Sequence, residues 1–369
     1  MNRMKVLDLE HSEKMLLALL RASLHQQEVE TVYFQQATEE DWLKCYRLSV
    51  HQGVSSLAWE GIERLPIKYN PTLNVKLSWA LREKEQLEKY RKHCIAAKAL
   101  TELLAKHNIA TVILKGVGLS RFYPVPAHRE SGDIDIYTYS ADKTLMTDEE
   151  ANRLADELIL KQGAIMGNSL SKKHSKFSIY GVTFENHKLF LHENECQTTF
   201  KAEQWLKKHF DTQVVELLDR ECKIEVPSIT FDSVFVPIHA AHHYGMGLSL
   251  KHLCDWTLLL QQKDMNHSFE FEDKYFKLTI TTLTQLCNQY LGMTIPIKGD
   301  CKMANNMMQE ILHSPYYRKK PTGGFFKKQW FQLQDRIHIF KLKHRLLGVS
   351  FWGKIWKLLS RIIQKQESI

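Results

Sequence analysis

The chain has 369 residues, 44% of them hydrophobic and 25% charged, the composition of an ordinary globular protein of two modules or of one with a helical extension. Its net charge of +8 is uneven: residues 318–369 hold 13 Lys/Arg against Asp335 and Glu367, a net +11, which leaves residues 1–317 at −3. The basicity belongs to the tail, so there is no strong case for a nucleic-acid partner. No apolar stretch approaches the roughly 20 residues that cross a bilayer, and Met1–Lys5, followed by acids at 8, 10 and 13, lacks the apolar core of a secretion signal. Seven scattered cysteines form no CxxC pair, which argues for a reducing compartment and against both a disulfide framework and a structural zinc site. The expected location is cytoplasmic.

The first hundred residues read as helix. Met15, Leu16, Leu19 and Leu20 share a face. Thr38 can cap a helix opening on Glu39, Glu40 and Asp41, and Gly53 ends it. After Pro71 no Gly or Pro interrupts the chain until Gly116, and a long helix is expected from Asn74 to about Lys106. The period then changes. Ile109–Leu114 is a β-branched run suited to a buried strand that stops at Lys115-Gly116. A short helix over 117–123 and a second strand, Asp133–Tyr137, come next. A helix from Asp148 to about Gln162 opens on three acids where the macrodipole favours them. Two further strands, Lys176–Tyr180 and Val182–His187, are split by Gly181. From Phe231 the pattern is helical again, through 248–262 and 274–290, and Ser314–Gly324 is the best linker candidate.

The informative stretch is Leu114-Lys115-Gly116, then Arg129, then Asp133-Ile134-Asp135-Ile136. Alternation along a strand sends Asp133 and Asp135 to one face and both isoleucines into the core. Two adjacent carboxylates repel unless a cation lies between them, and Mg²⁺ typically joins one or two carboxylates to substrate phosphates. A glycine closing the preceding strand allows close approach of phosphate to backbone amides, while Lys115 and Arg129 supply positive charge.

These residues resemble nucleotidyltransferases with the DNA-polymerase-β-like fold. More narrowly, Lys115-Gly116, Tyr123-Pro124, Arg129 and Asp133-Ile134-Asp135-Ile136 are similar to the pattern of a bacterial uncharacterised nucleotidyltransferase group. The resemblance implies an α+β fold and an Asp-x-Asp site for two Mg²⁺ ions, with Mn²⁺ as the alternative. It also implies a third acid on a neighbouring strand, for which Glu185 in Glu185-Asn186-His187 is the candidate, as metal ligand or general base. An NTP such as ATP would be held by Lys115, Gly116 and Arg129, and its NMP group passed to a hydroxyl acceptor of unspecified identity. Two departures stand out: Val117 replaces the Gly or Ser that follows the glycine in the superfamily, and the interval from Gly116 to Asp133 is long. Both leave open a nucleotide-binding regulatory protein without turnover.

Other residues invite a functional reading. His239 and His243 lie one helical turn apart, a zinc-compatible spacing, but no Glu stands between them, and Gly245 and Gly247 separate them from Cys254 and Asp255. With His187, they are expected as substrate contacts lining the cleft, and Asp255 as a structural acid. In the tail, Trp352, Ile355, Trp356, Leu359, Ile362 and Ile363 share one helical face opposite Lys354, Lys357, Arg361 and Lys365. Residues 350–365 thus suit docking on the helical region, an anionic membrane surface, which would make the protein peripheral to the membrane or even an adaptor there, or a nucleic-acid backbone. The expected organisation is helical 1–107, an α/β nucleotidyltransferase core at 108–228, helical 229–317 and a basic amphipathic tail at 318–369. The oligomeric state is unspecified.

Overall fold

The structure, a computed structural model, describes residues 7–167, 173–191, 196–265, 270–313 and 325–350. The linker candidate 314–324 and nearly all of the amphipathic face of 350–365 lie outside the described residues. The fold is α+β, with a mixed seven-stranded sheet among helices.

The N-terminal helices are α1 (His11–His25), α2 (Glu39–His51), α3 (Ser55–Arg64) and the 33-residue α4 (Leu73–Ala105). Thr38 caps α2 as expected, in a reciprocal box with Asp41. Strand β1 (Ile109–Ile113) leads through the Lys115-Gly116 turn to β2 (Ile134–Ser140). Then come α5 (Asp148–Lys161), β3 (Ile165–Met166), β4 (His174–Ile179), β5 (Val182–His187), α6 (Gln197–Lys208), β6 (Thr212–Leu217) and β7 (Cys222–Pro227). The C-terminal helices are α7 (Ile229–His243), α8 (Leu250–Leu260), α9 (Lys274–Tyr290), α10 (Cys301–His313) and α11 (Phe325–Leu347).

The sheet runs β3-β4-β5-β2-β1-β7-β6. Its centre is mixed: β1 is antiparallel to β2 and parallel to β7, and β2 is parallel to β5. Tyr180 and Gly181, both at positive φ, close the β4–β5 hairpin, the conformation a tight two-residue turn demands. One sheet face is covered by α4 and α5, through a cluster including Leu100, Leu104, Ile113, Val117, Ile134, Ile136 and Ile159. The other face joins a larger core in which both helical ends of the chain meet. Polar ties cross that junction. Gln52 of the α2–α3 turn donates to Ile311 O (2.9 Å) and accepts from Leu250 N–H (2.9 Å), and Arg21 and His25 reach the carbonyls of Tyr290 and Leu291. Leu342, Leu346 and Leu347 of α11 are buried in the same core. Among the described residues, no helix is long and apolar enough to cross a membrane.

Candidate active site

The site begins where β1 stops. Gly116 adopts φ +63°, which L side chains rarely take, and a Cβ there would lie 3.3 Å from the carbonyl oxygen of Asp133. The turn therefore packs backbone to backbone against the strand that carries the acids. A Cβ on Gly118 would lie 2.5 Å from Ile113 O, so this turn is closed on both sides. The expected helix over 117–123 is a single 3-10 turn, Leu119–Phe122, and it offers few aligned amides to a phosphate. Val117 is buried in the core beneath the sheet rather than aimed at the cleft, which accounts for an aliphatic residue where the superfamily has Gly or Ser. Arg121 fixes the turn to α7 by donating to Asp232 (2.6 Å) and to Pro227 O (3.0 Å).

The loop from Pro124 to Gly132 has little regular structure, yet three consecutive charged side chains hold it. His128, Arg129 and Glu130 are all buried. The His128 ring nitrogens meet Glu60 of α3 and Glu83 of α4, each at 2.6 Å. Burial disfavours the imidazolium, but the two carboxylates outweigh it and push the His128 pKa up to about 9. Arg129 donates Nε–H and Nη2–H to the two oxygens of Asp255, both at 2.8 Å, and the Tyr123 hydroxyl donates to the same carboxylate at 2.8 Å. Glu130 accepts from Ser55 N–H and Oγ–H (2.7 Å each) and from Arg82 (3.0 Å). These bonds tie the loop to three helices, α3, α4 and α8, so it delivers Ser131, Gly132 and Asp133 to the cleft in a fixed position.

The carboxylates follow from strand register. Ile134 and Ile136 are fully buried on one face, and Asp135 projects from the other. Asp135 pairs directly with Glu185 across parallel β2 and β5, so the two side chains emerge on the same face. Asp135 Oδ1 accepts from Lys115 Nζ (2.9 Å) and from His187 Nε2–H (2.8 Å). Burial would raise its carboxyl pKa, but the Lys115 charge and the His187 hydrogen bond hold it well below the ordinary range. Asp133 behaves oppositely: burial, then the like charge of Asp135 and that of Glu185, raise its pKa despite Lys115. Glu185 pairs with Lys176 Nζ (3.0 Å) and lies 3.5 Å from His174 Nε2. Among the described residues, the close sets of three ligating atoms are His174 with Glu185 and His187, and His239 with His243 and His252, rather than the three acids.

These residues line a cleft of about 550 Å³ between the sheet and the α7–α8 corner. Lys115, Gly116, Arg129, Asp133, Asp135, Glu185, His187, His239 and His243, all singled out from the sequence, are in it. Their engagements differ from expectation in detail. Arg129 spends one edge of its guanidinium on Asp255, leaving Nη1 as the atom nearest the Gly116 turn. His187 is almost fully buried and donates to Asp135, which makes it a positioning group for that carboxylate. Asp255 is the structural acid expected of it. Sequence reasoning missed Lys173, His174, Lys176, Lys251 and His252. Burial, and then the charge of Lys115, pushes the Lys173 pKa down to about 8, and burial lowers that of Lys251. Lysines gathered in this way suit a polyanionic guest, whose charge would favour the ammonium form.

The fold is a mixed seven-stranded sheet among helices, with strand acids, lysines and histidines gathered along one cleft. The chain belongs to the uncharacterised nucleotidyltransferase family, whose model matches residues 38–272. Among solved structures, it is similar to an antigenic nucleotidyltransferase-like protein from Paracoccidioides brasiliensis at 14% identity. That match covers 56% of this chain and 94% of the other, with a TM-score of 0.36. No functionally curated protein matches the chain in sequence.

Proposed function

We propose that the protein transfers a nucleoside monophosphate from an NTP to a hydroxyl acceptor. The observation that carries this reading is the in-register pair Asp135 and Glu185, with Asp133 beside them and Lys115 on the same face. Burial, and then the like charges of Asp135 and Glu185, raise the Asp133 pKa, and carboxylates on one wall of a cleft are a donor set that suits hard divalent cations. Asp133, Asp135 and Glu185 would hold two Mg²⁺ or Mn²⁺ ions. When bound, such ions lower the pKa of an attacking hydroxyl and neutralise charge on the leaving pyrophosphate.

The chain's own residues supply the rest. Lys115, Lys173 and Lys251, with the Gly116 turn and Nη1 of Arg129, draw the triphosphate into the cleft. The acceptor oxygen forms a bond to the α-phosphorus, the bond to the bridging oxygen breaks, and pyrophosphate leaves with that electron pair. Glu185 serves as metal ligand or takes the proton from the hydroxyl. His187 keeps Asp135 oriented through its Nε2–H bond, and burial, outweighing that bond, holds the His187 pKa at about 4, so the ring is neutral at pH 7.

Asp133→Asn tests the proposal. The change is nearly isosteric and removes a like charge from the acid cluster, so the variant folds. Magnesium-dependent pyrophosphate release, followed across NTPs and an acceptor panel, falls at least about 100-fold, the scale of losing a key electrostatic group. Turnover equal to wild type would sink the assignment. NTP binding without turnover in any acceptor would favour the regulatory reading, for which the buried Val117 and the short 3-10 turn speak.

A further inference from the structure

We propose that His239, His243 and His252 form a binding site for one transition-metal dication of the Zn²⁺ class, separate from the carboxylates and with its fourth coordination position open to the cleft. His239 and His243 are one turn apart at the end of α7. Gly245 and Gly247, at φ +80° and +108°, turn the chain back so that the first turn of α8 brings His252 against them. The glycines that separate the histidines in sequence are thus what assembles them in space.

The geometry is that of a metal centre. One ring nitrogen of each histidine lies within 4.8 Å of one from each of the others. The Nε2 atoms of His239 and His243 are 3.3 Å apart, and the three ring centres are separated by 4.6, 4.9 and 5.9 Å. Three imidazoles around a tetrahedral Zn²⁺ at about 2.0–2.1 Å would place their nitrogens about 3.4 Å apart and their ring centres about 5 Å apart. Burial holds all three below the ordinary imidazole range, that of His243 at about 3, so they are in the neutral ligating form. His252 Nδ1 accepts from Ser249 N–H (3.2 Å) and lies 3.0 Å from Ser249 Oγ, contacts that fix the ring at the start of α8. All three rings line the cleft that holds Asp133 and Asp135, so an open fourth position would meet a substrate oxygen there. The alternative set, His174, Glu185 and His187, is committed elsewhere: His187 donates to Asp135, and Glu185 is paired with Lys176.

The test uses full-length protein stripped with a chelator, then titrated with Zn²⁺ against a chromophoric chelator and, in parallel, with Co²⁺ followed by visible absorption. One Zn²⁺ binds per chain, and Co²⁺ gives the intense visible bands of a tetrahedral site. His243→Gln and His252→Gln each weaken Zn²⁺ by more than about 100-fold, the upper end of what loss of a merely supporting group costs. His174→Gln and Asp133→Asn bind Zn²⁺ as wild type does, which keeps this result independent of nucleotidyl transfer. The proposal is overturned by no Zn²⁺ uptake, by a weak octahedral Co²⁺ spectrum, by a change under tenfold in both helix variants, or by loss in His174→Gln. The Co²⁺ spectrum of the wild-type chain decides the matter even if a variant does not fold.

Discussion

His128→Gln should cost stability in a way that depends on pH, because the imidazolium is clamped between two buried carboxylates at 2.6 Å. With its pKa raised from 6.5 to about 9, at about 1.4 kcal/mol per unit, the charged ring contributes about 3 kcal/mol. The folded pKa lies above the unfolded one, so the contribution is full below about pH 6.5. It then falls by about 1.4 kcal/mol per pH unit and is gone above about pH 9. Glutamine keeps the side chain polar but leaves Glu60 and Glu83 without a cation, and removing one partner of a buried pair typically costs about 3–5 kcal/mol. Urea unfolding followed by tryptophan fluorescence, for wild type and variant from pH 6 to pH 10, measures the gap. The expected gap is about 3 kcal/mol at pH 6, closing by more than half at pH 9.5. A gap that does not change with pH, or one under about 1 kcal/mol at pH 6, would refute the claim that a charged His128 holds the loop.

Two other substitutions probe the same scaffold. Arg129→Lys keeps the charge but cannot span both oxygens of Asp255. It should lower stability by about 2–3 kcal/mol in denaturant titration, as expected for a damaged buried pair, and weaken NTP binding measured by calorimetry. Gly116→Ala forces a side chain into a left-handed turn and places its Cβ 3.3 Å from Asp133 O. A cost of about 1–2 kcal/mol in the same titration is expected, together with weaker nucleotide binding; an unchanged affinity would show that the turn does not contact phosphate.

Much of the site was legible because strand alternation is strict. Once Asp133–Tyr137 reads as a strand, Ile134 and Ile136 must be core and the acids must face the other way. The same rule puts Glu185, on the next acid-bearing strand, on the face of Asp135, where the register pairs the two. What the sequence withheld depends on distance along the chain. Nothing near Arg129 shows that Asp255, 126 residues on, will occupy its guanidinium, or that His128 and Glu130 are buried anchors rather than loop surface. Strands β6 and β7 were missed because charges and Leu218-Asp219-Arg220 interrupt the apolar pattern between residues 212 and 227. His252 joins His239 and His243 only through two left-handed glycines, which in sequence read as a separation.

The central claim is that Asp133, Asp135 and Glu185 hold divalent cations against a nucleotide triphosphate. Anomalous diffraction at the manganese edge, from crystals grown with Mn²⁺ and a non-hydrolysable NTP, tests it directly. The account predicts manganese peaks among these three carboxylates, with the α-phosphate beside them and the triphosphate on the Lys115-Gly116 turn. Manganese bound only at His174, Glu185 and His187, or a nucleotide lying outside the cleft, would contradict it.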